Sequence, residues 1–318
     1  MQIASLHRYP VKGLSPERVD AFALKRGAYV PGDRLYAIEN GPSGFDAADP
    51  KHQPKIKFLM LMRNARLATL RTRYLDDEAT LVITDGGHEK VRADLSSADG
   101  RDAIRSFFEG FMPAELRGAP KVLTAPDGFR FTDSRSGFVS LLNLASVADL
   151  ERRVGAPVDP LRFRANLAID GLTAWDEFDW VGRRVRIGAE AVLKVTKRIV
   201  RCAATEVDPV TGIRDMDVVR TLQRSYDHAD CGIYAEVVSP GTVRPGDPIV
   251  VLDEEQPRLP LQRLRRRPRS RRRAPERRRR CGCGGGEDGC PWPRLPRWPR
   301  VPTTASGRAL RSRRPRRR

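Results

Sequence analysis

One cysteine sits where a reactive thiol would be expected. Cys202 follows Lys197, Arg198 and Arg201. Neighbouring cations favour the thiolate, which is both a nucleophile and a soft metal ligand. A buried structural cysteine is the competing reading. Downstream, Asp208-Pro209-Val210-Thr211-Gly212 has the composition of a turn that folds the chain back after the thiol. Upstream lie Arg164 and Asn166, then Trp175, Glu177, Trp180 and Gly182, then Ile187-Gly188. Other chemistries lack their residues. There is no phosphate-binding loop of the P-loop type, and the glycines from Gly282 to Gly286 follow no strand. His7, His52, His88 and His228 lack metal-ligand spacing. Cys281, Cys283 and Cys290 are one short of an iron–sulfur set and wrongly spaced for it.

The elements that must position these residues are mostly short strands. Ile3 to Tyr9 is a β-type run ended by Pro10, and Val19 to Leu24 alternates. Ala68 to Tyr74 alternates up to Asp76-Asp77-Glu78, which predicts a hairpin into Thr80 to Thr84. Val185 to Val195, Ile233 to Val238 and Pro248 to Leu252 also read as strands. Helices are fewer. Residues 98–111 put Ile104, Phe107, Phe108 and Phe111 on one face, with Ser96 or Ser97 as N-cap. Residues 144–154 repeat apolar positions at helical spacing, with Ser146 and Asp149 as a capping-box variant and Gly155 as the stop. A short helix is predicted over 217–224. Trp175, Trp180 and Cys231 read as core. The fold class is α+β and β-rich: a β-barrel-like domain over 1–118, a second β-rich domain with a few helices over 119–252, and a tail from 253 to 318.

Charge separates the tail from the rest. The chain of 318 residues carries a formal +19. Residues 256–318 hold 23 arginines, no lysine and 3 acidic residues, a net of +20, whereas residues 1–255 sum to −1. A segment so poor in apolar residues cannot offset its ordering entropy, so the tail is expected to be disordered. Arg, Pro, Gly and Ala all have GC-rich codons, and a shifted reading frame in a GC-rich gene yields such a sequence. A polyelectrolyte arm for nucleic acid or an anionic membrane is the competing reading. No run approaches the ~18 apolar residues of a membrane span. The absence of a signal-peptide pattern and of a disulfide framework implies a cytoplasmic protein.

Taken together, the motifs resemble the MOSC domain, named for the C-terminal domain of molybdenum cofactor sulfurase. Arg164-x-Asn166-Leu167-x-Ile169-Asp170-Gly171, Trp175-x-Glu177-x-x-Trp180-x-Gly182, Ile187-Gly188, Arg201-Cys202 and Val207-Asp208-Pro209-x-Thr211-Gly212 occur in that family's order. Leu6-His7-Arg8-Tyr9-Pro10-Val11-Lys12-Gly13 and Gly32-Asp33-Arg34 resemble the β-barrel domain that precedes MOSC. His228, Gly232-Ile233-Tyr234 and Gly246-Asp247 resemble its closing strands. The resemblance covers about residues 1 to 252 and extends to the mitochondrial amidoxime-reducing components and their bacterial relatives. It implies a molybdenum-pyranopterin cofactor with Cys202 as catalytic residue and molybdenum ligand. It implies Lys12 and Ser146 at the cofactor's phosphate, with Ser146 aided by a helix N-terminus. Arg34, Arg164, Asn166 and Arg201 would supply hydrogen bonds to the rest of the cofactor. Gly13 departs from the serine frequent after this lysine. The implied activity is reduction of N-hydroxylated compounds with electrons from an external partner, a ferredoxin-type or flavin reductase. The alternative is a cofactor or sulfur carrier holding a persulfide on Cys202.

Overall fold

Short strands and three α-helices make up the described residues, as the alternation and turn signals require. The computed structural model describes residues 1–136 and 138–252; the tail expected to be disordered lies outside them. In chain order the strands are β1 (Gln2–Arg8), β2 (Glu17–Val19), β3 (Phe22–Leu24), β4 (Tyr36–Asn40), β5 (Leu70–Leu75), β6 (Thr80–Asp85), β7 (His88–Asp94), β8 (Pro120–Thr124), β9 (Val139–Asn143), β10 (Leu167–Asp170), β11 (Arg184–Ile187), β12 (Ala191–Val200), β13 (Asp230–Ser239), β14 (Gly241–Val243) and β15 (Ile249–Leu252). Helix α1 (Ala98–Phe111) follows β7, α2 (Leu144–Val154) follows β9, and α3 (Val218–Tyr226) follows β12.

The helix boundaries follow from their caps. Ser97 accepts a hydrogen bond from the Gly100 amide at 3.0 Å and starts α1, whose Ile104 and Phe108 are fully buried. Helix α2 is capped by Asn143, which accepts from the Ala145 amide at 3.0 Å. The expected capping box of Ser146 and Asp149 does not form, because the Ser146 hydroxyl is engaged elsewhere. Gly155, at φ 80°, ends α2 in the left-handed conformation. The hairpin after Tyr74 forms across Asp76–Glu78.

Eight strands form one sheet in the order β15-β11-β12-β13-β9-β10-β1-β2. Only β9 and β10 are parallel, and α2 supplies the crossover such a pair needs. Ile3, Leu6, Leu141, Leu167, Leu193 and Ile233 belong to the fully buried core of this sheet. The sheet curls until Gln2 bridges Pro248, and the Ile3 amide donates to the Asp247 carbonyl at 2.9 Å. The Gly246 amide also donates to the Ile3 carbonyl at 2.8 Å and the Ile249 amide to the Met1 carbonyl at 3.2 Å, but among the described residues no continuous ladder closes the sheet. The barrel-like arrangement expected of the N-terminal half is also not a closed ring. It consists of a three-stranded ladder β5-β6-β7, a pair β4-β8, and β3 paired with β14. A second core, including Leu59, Leu67, Leu70, Leu81 and Phe108, fills this half. The first strand does not stay with it: β1 pairs with β10, so the chain's start is built into the sheet that carries the later motifs.

Candidate active site

Strand β12 delivers the cysteine. Its pairing with β13 slips between Val195 and Lys197 and again between Arg198 and Val200. Each slip turns the strand and re-aims its side chains. Immediately after β12, Cys202 caps a single 3-10 turn, Ala203–Glu206, with its carbonyl accepting from the Thr205 amide and hydroxyl, both at 3.0 Å. The thiol is free and partly exposed. The chain then folds back as expected. Asp208 Oδ1 accepts from the Val210 amide at 2.9 Å and from the Thr211 amide at 2.7 Å. Asp208 and Asp215 both take the guanidinium of Arg162, at 3.1 Å for Asp208 and at 2.8 and 2.7 Å for Asp215.

Two arginines in strained backbone face one another across Tyr9. Arg34 has φ 48° and Arg164 φ 52°, a region that costs a non-glycine residue about 1–3 kcal/mol. Their guanidinium carbons lie 4.4 and 4.3 Å from the centre of the buried Tyr9 ring. Arg34 Nη2 donates to the Arg164 carbonyl at 3.1 Å, and Arg34 Nη1 is neutralised by Asp33 at 2.6 and 2.7 Å. Arg164 Nη1 donates only to a backbone carbonyl, that of Leu14, at 2.8 Å. Burial pushes the Arg164 guanidinium down to about 10. Burial also pushes the Tyr9 hydroxyl up to about 12, although both arginines oppose it.

The remaining cations divide in the same way. Lys12 donates to the Phe131 carbonyl at 3.0 Å and forms an ion pair with Asp133. Burial raises the Asp133 carboxyl, but Lys12 and Lys55 outweigh it and hold the group at about 2. Lys55 Nζ lies 4.0 Å from Asp133. Burial opposes its charge, yet the Asp133 carboxylate and the nearby Cys202 keep its pKa above the usual lysine value. Arg201 is held by two carbonyls, Cys231 at 2.7 Å and Phe163 at 2.8 Å. Its Nη2 is buried with no partner. Gly232 makes room for that guanidinium, since a Cβ there would stand 2.5 Å from the Leu141 carbonyl and 3.1 Å from Arg201 Nη2. Asn166 is used structurally: Oδ1 accepts from the Ser140 hydroxyl at 2.8 Å and Nδ2 donates to the His7 carbonyl at 3.2 Å.

These groups line one cavity of about 360 Å³. Lys12, Arg34, Arg164, Asn166, Arg201 and Cys202 all reach it. Eight basic side chains and one carboxylate, Asp133, form its wall, so the cavity is complementary to an anionic ligand. Ser146 is not part of it. That side chain is fully buried on α2, where its hydroxyl meets both Glu177 carboxylate oxygens at 2.9 Å and accepts from the Trp175 amide at 2.8 Å. A hydroxyl committed to a buried carboxylate is not available to a phosphate. Glu177 was already within the tryptophan motif, but nothing in the spacing linked it to Ser146. Lys55, Asp133, Tyr9 and Arg162 were not expected in the site. Lys55 and Asp133 belong to no motif. Arg162 adjoins the motif that begins at Arg164, and Tyr9 lies inside the Leu6-to-Gly13 stretch without having been singled out as a site residue.

Among the described residues no group of three or more His, Cys, Asp or Glu side chains could hold a metal ion. Residues 1–115 match the MOSC N-terminal beta barrel domain, and residues 129–250 match the MOSC domain. The chain belongs to the MOSC-domain family. Its similarity to mitochondrial amidoxime-reducing component 1 of mouse is 26% identity over 287 residues, 79% of this chain and 82% of that protein. The human component 1 is 26% identical over 289 residues, 79% of this chain and 83% of that protein. The YUAD protein of Bacillus subtilis aligns over 78% of this chain and 93% of its own, at 14% identity and a TM-score of 0.38. The homology of this MOSC protein to the amidoxime-reducing components is thus distant but spans both halves of the described chain.

Proposed function

We propose that this MOSC protein is a molybdenum-cofactor-dependent reductase of N-hydroxylated compounds. The observation that carries the reading is the convergence of a free thiol with cations that no carboxylate neutralises. Arg164 and Arg201 donate only to backbone carbonyls, and one Arg201 nitrogen is buried without a partner. A buried donor left open this way costs about 1–3 kcal/mol unless a ligand meets it. An anionic pyranopterin phosphate meets that need, and a soft thiolate suits molybdenum. Arg164 and Arg201 would hold the anionic part first, because Lys12 and Arg34 already have carboxylate partners. Those two, with Asn166, shape the wall. Cys202 would ligate the metal.

Bound there, the cofactor supplies two-electron oxygen-abstraction chemistry, which no protein side chain provides. The reduction is R–NH–OH + 2 e⁻ + 2 H⁺ → R–NH₂ + H₂O. The chain supplies ligation, charge and a walled pocket. Electrons come from an external partner of the ferredoxin or flavin-reductase type, since no motif for a second redox group occurs in the chain. Lys55, which lines the same cavity as Cys202, would hold a positive charge at the reacting end. Metal content tests the reading. After expression with cofactor supply, the wild type should contain molybdenum and Cys202→Ala should have lost it. Molybdenum absent from both would sink the proposal, and a persulfide on Cys202 without molybdenum would assign the carrier role instead.

A further inference from the structure

A second cleft adjoins the first and has its own buried, unpartnered nitrogens. It has a volume of about 450 Å³, and its lining includes Tyr29, Lys51, His52, Arg130, Thr132 and Arg135, with no carboxylate. Five buried side-chain nitrogens lack a hydrogen-bond partner among the described residues, and two of them, His52 Nε2 and Arg130 Nε, belong to this cleft. Two more, on Arg162 and Arg201, belong to residues lining the first cavity. Exposed cations on a surface need no explanation, because water satisfies them. Nitrogens closed off from water do need one. Arg130 Nη1 is occupied by the Phe129 carbonyl, which leaves the Nε edge of the guanidinium open. That edge is the two-toothed face that matches a phosphate or carboxylate. Burial depresses the Arg130 pKa, and Asp33 and Asp127 offset it only in part.

The same two segments build both cavities. Lys51 and His52 face the second cleft, while Lys55 faces the first. On the other segment Arg130 and Arg135 face the second, and Asp133 and Ser134 the first. Thr132 is a wall of both. A ligand with its reacting end near Cys202 and an anionic end at Arg130 would pass this threonine. We propose that the second cleft binds the phosphoryl group of the substrate, which makes N-hydroxylated nucleotides the substrate class. The inference rests on the reductase reading above.

The test compares hydroxylaminopurine riboside with its 5′-monophosphate, using the full molybdenum-loaded chain and an artificial electron donor. The monophosphate should show a KM about ten-fold lower, the scale of one charge-assisted hydrogen bond. Arg130→Gln should erase that difference, Arg130→Lys should keep part of it, and neither should alter the riboside. Equal KM values in the wild type, or a preference that survives Arg130→Gln, would overturn the subsite. If neither compound is reduced, the reductase reading fails separately. The cleft is then read from the rise in melting temperature with inorganic phosphate. A smaller rise in Arg130→Gln supports the subsite, and an unchanged rise overturns it.

Discussion

Replacing Arg162 by Met removes one guanidinium and leaves two carboxylates facing each other. The Arg162 side chain is 2% exposed, while Asp208 and Asp215 are 24% and 38% exposed. Breaking a fully buried pair costs about 3–5 kcal/mol. Here water re-solvates both carboxylates, so the Asp215 fork and the Asp208 contact together contribute about 2–3 kcal/mol. With an m-value near 3 kcal/mol/M, the urea midpoint should fall by about 1 M. Arg162→Met combined with Asp215→Asn should recover part of the loss, because one of the two facing carboxylates is then neutral. Arg162→Lys should recover less than the native fork supplies, since an ammonium cannot bridge two carboxylates in one plane. Molybdenum content should fall in the single variant. Arg162 ties the turn that leads into Arg164 to the hairpin that follows Cys202, so the thiol loses its fixed place opposite the cations. A midpoint within about 0.2 M of wild type, with full molybdenum loading, would refute the claim that this ion cluster orients the site.

Three further outcomes can be measured. Gly232→Ala forces a side chain onto φ 78° and into the Leu141 carbonyl. It should cost about 2–4 kcal/mol and reduce cofactor retention more than Gly128→Ala, an open-space control that shares the positive φ. Glu177 is fully buried, and burial pushes its pKa above 4.5. The folded state therefore holds that proton more tightly than the unfolded chain, so the contribution is complete below about pH 4.5 and is lost as pH rises through the elevated folded value. Glu177→Gln should flatten that limb of the urea-midpoint profile while costing about 1–2 kcal/mol from the Asn143 and Ser146 bonds; a wild-type-to-variant difference independent of pH would count against it. Removing residues 256–318 should leave reductase activity intact and abolish any binding to nucleic acid. Loss of activity on truncation would reassign the tail.

Much of the fold could be read in the chain because the signals were local. Ser97 and Gly155 mark helix ends through their own chemistry, and the alternation before Asp76 gives a hairpin whatever surrounds it. Ser146 shows where such reading fails. At the start of a helix it looks like a cap or a phosphate ligand, but a carboxylate thirty-one residues later in sequence claims its hydroxyl. Lys55 and Asp133 carry no local mark. They join the site because two loops far apart in sequence meet beside Cys202. The expected barrels depended on long-range pairing, and where the curled sheet brings Gln2 to Pro248 the contact is an isolated bridge rather than a ladder.

The sequence alone determined which residue types were available: one thiol beside cations, an ordered series of motifs, and a neutral body distinct from an arginine-rich tail. These depend on composition and neighbours in the chain. Only the tertiary structure decided which cations retain uncompensated charge. Arg34 and Arg164 are indistinguishable as arginines, yet one faces Asp33 and the other only carbonyls. Whether a charge is available to a ligand depends on what lies within a few ångströms of it, and the packing of β1 against β10 and of the loops around Cys202 sets those distances.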